Sequence, residues 1–150
     1  MKILVINGAN LHLLGIREPE IYGTSSYADL VALLRADAAE NGDTVSFFQS
    51  NHEGELADRI AQAYFDGTEG IVINPGAFTH TSVALRDAIA SVGIPAVEVH
   101  ISDVSAREDF RQVSFLREVC AGTVSGRGFD GYLDAIRLLK GTDQTRSQKQ

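Results

Sequence analysis

Apolar positions follow two rhythms along this chain, and the rhythms alternate. Residues 2–7, KILVIN, form a short β-branched apolar run closed by Asn7-Gly8, the pattern of a strand buried on both faces. Over 26–42 the period lengthens: Leu30, Leu33, Leu34 and Ala38 recur at helical spacing, and Asn41-Gly42 supplies the stop. A strand over 44–50 (TVSFFQS) then precedes a helix over 54–67, with Leu56, Ile60, Ala63 and Tyr64 on one face. A strand over 70–76 (GIVINPG) precedes a helix over 81–93. A fourth strand follows over 94–102 (IPAVEVHIS), a fifth over 120–126 (CAGTVSG), and a last helix over 131–141.

Strands alternating with helices imply βαβ units and a parallel sheet covered on both faces. Right-handed crossovers restrict the topology. The predicted fold is a flavodoxin-like α/β three-layer sandwich around a five-stranded parallel sheet of order 2-1-3-4-5. One domain spans 1–141, with no internal repeat or linker. Residues 142–150 (TDQTRSQKQ) are polar and aperiodic and are expected to be disordered.

One connection is too long. A β-to-α turn needs only a few residues, yet the segment from about Ala9 to Ser25 carries LLGIREPEIYG (13–23). Its leucines and isoleucines argue against disorder, so it reads as a functional lid.

Composition narrows the class. The 150 residues (16.2 kDa) suffice to bury a core without staples, and the net charge of −7 with no basic stripe argues against nucleic acid. The single cysteine, Cys120, excludes an internal disulfide, and no C-x-x-C pair is present. The N-terminal apolar run is too short for a signal peptide or a membrane span, which makes a cytoplasmic protein the expectation.

In open α/β sheets ligands bind beyond the carboxyl ends of the strands. Here those ends carry Asn7, Asn10, Arg17 and Tyr22 after strand one, and Asn51, His52 and Glu53 after strand two. Asn74 and His80 follow strand three; Glu98, His100, Ser102, Arg107 and Arg111 lie on or after strand four. GRGFDG (126–131) matches G-x-G-x-x-G but belongs to the last unit, so no later strand can carry a ribose-binding acid. There is no phosphate loop, no H-x-x-x-H zinc pair and no G-x-S-x-G elbow.

Arginines and amides suit an anionic, hydroxylated small molecule. A phenol ionises near pH 10, so Tyr22 could serve as a base only beside a cation in a water-poor site. Arg17 on the same loop and Arg111 are the candidates. His100 could act as general acid, oriented by Glu98 two residues earlier on the same strand face. Taken singly, each residue admits a plainer reading: Tyr22 covering a loop, His80 at a helix start capped by Thr79, His100 as a satisfied core histidine, 107–111 as a solvated face. Those readings leave the convergence of the cluster unexplained.

INGANLHLLGIREPEIYG (6–23), QSNHEGEL (49–56), INPGAFTHTSVALRDAI (73–89) and EVHISDVSAREDFR (98–111) together resemble type II 3-dehydroquinate dehydratase, in the family's order, from about Lys2 to Lys140. The resemblance implies elimination of water from 3-dehydroquinate to give 3-dehydroshikimate through an enolate, in the shikimate pathway or in quinate breakdown, with no metal, cofactor or Schiff base. It implies Tyr22 as the base at C2 and Arg17 as its activator. Asn10 would hold a water against the enolate oxygen, and His100, supported by Glu98, would protonate the departing hydroxyl. Asn74, Ile101 and Ser102 would hold the carboxylate, and His80 and Arg111 the ring hydroxyls. A homododecamer of four trimers is implied, with Asp87 reaching a neighbour's site. Ala9 and His12 stand where the family commonly has proline and asparagine. Asp103 and Ser105 replace its asparagine and histidine, and QVSF (112–115) replaces HHSY. Asp103 is therefore expected to set a carboxylate near the anion pocket.

Overall fold

The computed structural model describes residues 1–147 of the chain. Five strands, β1 (Lys2–Asn7), β2 (Thr44–Gln49), β3 (Gly70–Asn74), β4 (Ala96–His100) and β5 (Gly122–Ser125), form one parallel sheet of order β2-β1-β3-β4-β5. The helices are α1 (Pro19–Tyr22), α2 (Tyr27–Asn41), α3 (Glu53–Phe65), α4 (Val83–Val92) and α5 (Asp130–Ser147). This is the expected flavodoxin-like three-layer sandwich.

The two-residue period of a strand divides the core. Ile3 and Val5 pack with Leu30 and Leu34 of α2 and with Tyr132, Ile136 and Leu139 of α5. Leu4 and Ile6 face the other way, onto Leu56 and Ile60 of α3 and Leu85 and Ile89 of α4. β1 therefore reads as an unbroken apolar run because both of its faces are covered. Among the described residues no helix is long and apolar enough to cross a membrane.

Several details differ from the sequence pattern. Leu33 is 36% exposed and Tyr64 63% exposed. Each lies one position, and so about 100°, off the buried row of its helix. Tyr64 instead meets Phe65 edge-on, ring centres 5.2 Å apart. The cap of α4 is Ser82, whose hydroxyl accepts from Leu85 N at 2.9 Å. Thr79 lies in a 3-10 turn, Gly76–His80, and donates to Gly76 O at 2.7 Å. α5 runs on through 142–147 of the segment expected to be disordered. No proline interrupts it, and Thr142 Oγ1 donates to Leu138 O at 3.0 Å across the expected stop. Residues 148–150 of that segment lie outside the described residues.

The long first connection is ordered by its own apolar residues. Leu11 and Leu14 are buried in the α2/α5 side of the core, a 3-10 turn forms at Leu11–Leu13, and α1 adds a single helical turn. A capping box closes it: Ser26 Oγ accepts from Asp29 N, and Asp29 Oδ2 accepts from Ser26 N.

The carboxyl ends of β1 and β3 are joined through a side chain of α5. Asn7 and Asn74 are register partners. The Tyr132 hydroxyl donates to Asn7 Oδ1 at 2.6 Å and accepts from Asn74 Nδ2 at 2.9 Å. All three residues are buried. Tyr132→Phe strands two buried amides and is expected to cost about 1–3 kcal/mol of stability, read from urea unfolding; an unchanged midpoint would show that the bonds carry no net stability.

Candidate active site

The strand ends and the long connection enclose a small cavity, about 40 Å³, lined by Tyr22, Asn74, His80, His100, Ser102, Arg107 and Arg111. These residues come from the carboxyl ends of three strands and the connections that follow them, β1, β3 and β4, as expected of a switch-point site.

Tyr22 is the last residue of α1, whose turn begins at Pro19 and stops at Gly23, φ 81°. That turn sets the phenol between two arginines. Arg107 Nη1 donates to Tyr22 Oη at 3.0 Å and to Ser102 Oγ at 3.3 Å. Arg17 lies over the ring face, its Cζ 4.8 Å from the ring centre. The guanidinium that reaches the oxygen is thus Arg107, neither Arg17 nor Arg111. The bond to Tyr22, ahead of the nearby Glu108 and Glu18 charges, holds Arg107 above its ordinary pKa against the opposing effect of burial. Arg107 was legible only as one of several polar residues after β4, because nothing in local spacing links it to a tyrosine 85 positions earlier.

Glu108 gathers the arginines from the other side. Its Oε2 lies 2.7 Å from Arg111 Nε and 3.7 Å from Arg107 Nε. Its own backbone N–H, then Arg111, keep this carboxyl below the usual range. Arg111 reaches the cavity without contacting Tyr22.

His100 and Glu98 occupy alternate positions of β4 and share a face. His100 Nε2 lies 3.5 Å from Glu98 Oε1, with Glu98 fully buried and His100 7% exposed. Ser114 Oγ donates to Glu98 Oε1, and Thr123 Oγ1 donates to Oε2 at 3.2 Å. Burial alone would push the Glu98 carboxyl up, but the bonds from His100 and Ser114 and the charges of His100 and Arg117 hold it below the usual range. Neither donor was singled out in the sequence. Thr123 stands opposite Glu98 in the β4–β5 register, which only the sheet reveals. Cys120 is unsuited to be a nucleophile, because burial, aided by the Glu98 charge, pushes its thiol up to about 12.

The remaining expected residues divide. Asn74 lines the cavity with one amide hydrogen committed to Tyr132 and its oxygen accepting from Gly76 N at 3.1 Å. His80 Nδ1 meets Val113 O at 2.7 Å; a carbonyl only accepts, so Nδ1 carries a hydrogen and neutral His80 presents Nε2 as an acceptor. Ile101 and Ser102 border the cavity directly after β4. Asn10 is exposed and outside the lining of the cavity, with its backbone N–H held by Asn51 Oδ1 at 2.9 Å. Asp87 is on α4, outside the lining and paired with Arg86 at 3.5 Å. Asp103 is turned inward on its own loop, accepting from Ser105 N at 3.0 Å and Ser105 Oγ at 2.6 Å. It borders an adjoining cavity with Arg111 and Arg117 and is absent from the lining around Tyr22. Among the described residues no three metal-ligating side chains converge.

The depressed Glu98 carboxyl has a signed consequence. Its contribution to stability is complete above the unfolded value, about 4.3, and is lost as pH falls through the lower folded value. Glu98→Gln is expected to flatten the acid limb of stability against pH relative to wild type. Identical acid limbs would mean that the carboxylate is not preferentially stabilised by folding.

Residues 1–140 match the family model for class II dehydroquinase. The 3-dehydroquinate dehydratase of Caldicellulosiruptor bescii is 53% identical over 139 residues, covering 93% of this chain and 96% of that protein. That of Lachnoclostridium phytofermentans is 56% identical over 139 residues, with the same coverages of 93% and 96%. The crystal structure of the type II dehydroquinase from Butyrivibrio crossotus superposes with a TM-score of 0.92 at 53% identity, covering 93% of this chain and 97% of that one. A shared sheet order, a shared length and half the residues in common have one explanation: the chain belongs to the class II dehydroquinase family and is a hydro-lyase of the 3-dehydroquinate dehydratase type.

Proposed function

We propose that this dehydratase removes water from 3-dehydroquinate with Tyr22 as base and His100 as acid. The observation that carries the reading is the Arg107–Tyr22 bond of 3.0 Å in the cavity that also holds His100 with its buried Glu98. A guanidinium donating to a phenolic oxygen favours the phenolate, and a second guanidinium over the ring adds positive charge without competing for that oxygen. The phenolate takes the proton from C2, next to the ketone. The electron pair of that C–H bond moves onto the carbonyl oxygen as an enolate, which Asn10 stabilises through a water. The enolate then collapses, the C1–oxygen bond breaks, and His100 delivers a proton so that water leaves. Glu98 orients the imidazole and offsets its charge.

Binding follows the same geometry. Asn74, the backbone at Ile101 and Ser102, and the Ser102 hydroxyl hold the carboxylate. His80 Nε2 accepts from one ring hydroxyl, and Arg111, steadied by Glu108, donates to another. The second half of the lid, which carries Arg17 and Tyr22 while Leu11 and Leu14 stay in the core, opens to admit substrate and closes to exclude water. Asp87, exposed on α4, completes the site of a neighbouring copy in a trimer, and four trimers form the dodecamer. The working compartment is the cytoplasm.

Formation of the conjugated enone, followed by ultraviolet absorbance, tests the reading. Tyr22→Phe is expected to lower turnover by roughly 10²–10⁴-fold with the fold intact by circular dichroism. Arg107→Ala is expected to fall comparably, and Arg107→Lys to recover only part, because it keeps the charge and loses the planar fork. Near-normal turnover of Tyr22→Phe would assign the base elsewhere. Mass photometry is expected to find trimers or dodecamers, and a fully active monomer would remove Asp87 from the site.

A further inference from the structure

An asparagine at the N-cap of a helical turn ordinarily uses its side-chain oxygen to bind a backbone N–H of that turn. Asn10 holds this position ahead of Leu11–Leu13 and makes no such bond. Its backbone is left-handed, φ 68° and ψ 2°; among the described non-glycine residues only Glu18 shares a positive φ. Asparagine is one of the few non-glycine residues that reaches this region at modest cost, so its neighbours have to select the conformation rather than force it.

The surroundings here are specific. The Asn10 N–H donates to Asn51 Oδ1 at 2.9 Å. Gln49 Nε2 donates to the same oxygen at 3.2 Å and to Gly8 O at 3.2 Å. The amide orientations are fixed by logic: a backbone N–H only donates, so the atom facing it is the Asn51 oxygen, and the Gln49 atom facing that oxygen is nitrogen. Gln49 closes β2 directly opposite Asn7, so the clamp is anchored to the sheet. On the other flank Gly76 lies so close that a Cβ there would sit 2.7 Å from Ala9 O.

We propose that Asn51, held by Gln49, is a positioning residue for the elimination. By accepting from the Asn10 N–H it keeps Asn10 left-handed, so that the Asn10 amide is left for the reacting centre and does not cap its own turn. The proposal rests on the reading of Asn10 as the group that steadies the enolate oxygen through a water. The chemistry required at position 51 is an acceptor within reach of two N–H groups, and neither bond uses Asn51 Nδ2. A carboxylate serves there and a methyl group does not.

The test is steady-state kinetics of Asn51→Ala, Asn51→Asp, Asn10→Ala and the double variant, with thermal unfolding as the folding control. Asn51→Ala is expected to lower kcat at least tenfold with KM within threefold, the split expected when a transition-state interaction is lost. Asn51→Asp recovers most of that loss. In the Asn10→Ala background, Asn51→Ala costs less than a further twofold, because residues acting through one group are not additive. Asn51→Ser, too short to reach the Asn10 N–H, replaces Asn51→Ala if the latter does not stay folded. A slow Asn10→Ala beside a fast Asn51→Ala overturns this proposal alone, as does an undiminished effect in the double variant or an Asn51→Asp as slow as Asn51→Ala. An Asn10→Ala variant with wild-type turnover removes the role of Asn10 and this proposal with it.

Discussion

Two buried amides share one phenol, and the site depends on that arrangement. Asn7 and Asn74 end the central strands as register partners, and Tyr132 bonds to both from α5. Beyond this point the chain diverges: α2, after β1, covers one face of the sheet, and α4, after β3, covers the other. The crevice opened by that divergence is where a ligand can sit against backbone and side chains from several strands. Asn7 Nδ2 is buried without a partner, so the network is held by the two bonds that meet at the Tyr132 hydroxyl, and these set the spacing of the strand ends.

The departing loops are held at close quarters by glycine. A Cβ on Gly8 would lie 2.1 Å from Pro75 O, and Gly8 N donates to Asn74 O at 2.7 Å. The turn after β1 is thereby locked to the turn after β3, and the long first connection leaves the sheet from a rigid base. What is rigid at the base becomes separate beyond it: Leu11 and Leu14 tether the first half of this connection to the core, while α1, without a buried residue, carries Tyr22 against the arginines.

Charge in the site is organised in two blocks. Arg17, Arg107 and Arg111 are interleaved with Glu18 and Glu108 on the outer side. His100 sits with Glu98 on the inner side, where Ser114 and Thr123 satisfy the buried carboxylate. The outer block places positive charge at the Tyr22 phenolic oxygen and over its ring. The inner block places the buried Glu98 carboxylate 3.5 Å from the His100 imidazole. Burial separates the two environments: Glu98 is fully buried, whereas Glu108 is exposed. Asp103 carries its charge outside both blocks because Ser105 ties it into a local turn.

The order of strands, the three layers, the long ordered first connection and most of the lining were written in the sequence, because alternating two-residue and helical periods are local signals and βαβ chirality does the rest. That Tyr22 and His100 border the cavity was legible because one interrupts a turn that needs no such residue and the other ends β4, with Glu98 two positions before it on the same face. The fold itself had to decide which arginine meets the phenol, since Arg107 is distant in sequence and its neighbour Arg111 is chemically identical. It also had to decide that Thr123 faces Glu98, which is a matter of register, and that Asn51 holds Asn10, which joins the ends of two strands. The continuation of α5 past Gly141 was likewise hidden, because a polar aperiodic segment carries no packing signal and yet can propagate a helix already nucleated upstream. Local chemistry can be read from residue types along the chain; the pairing of like groups across it is set only when the sheet brings them within a few ångströms.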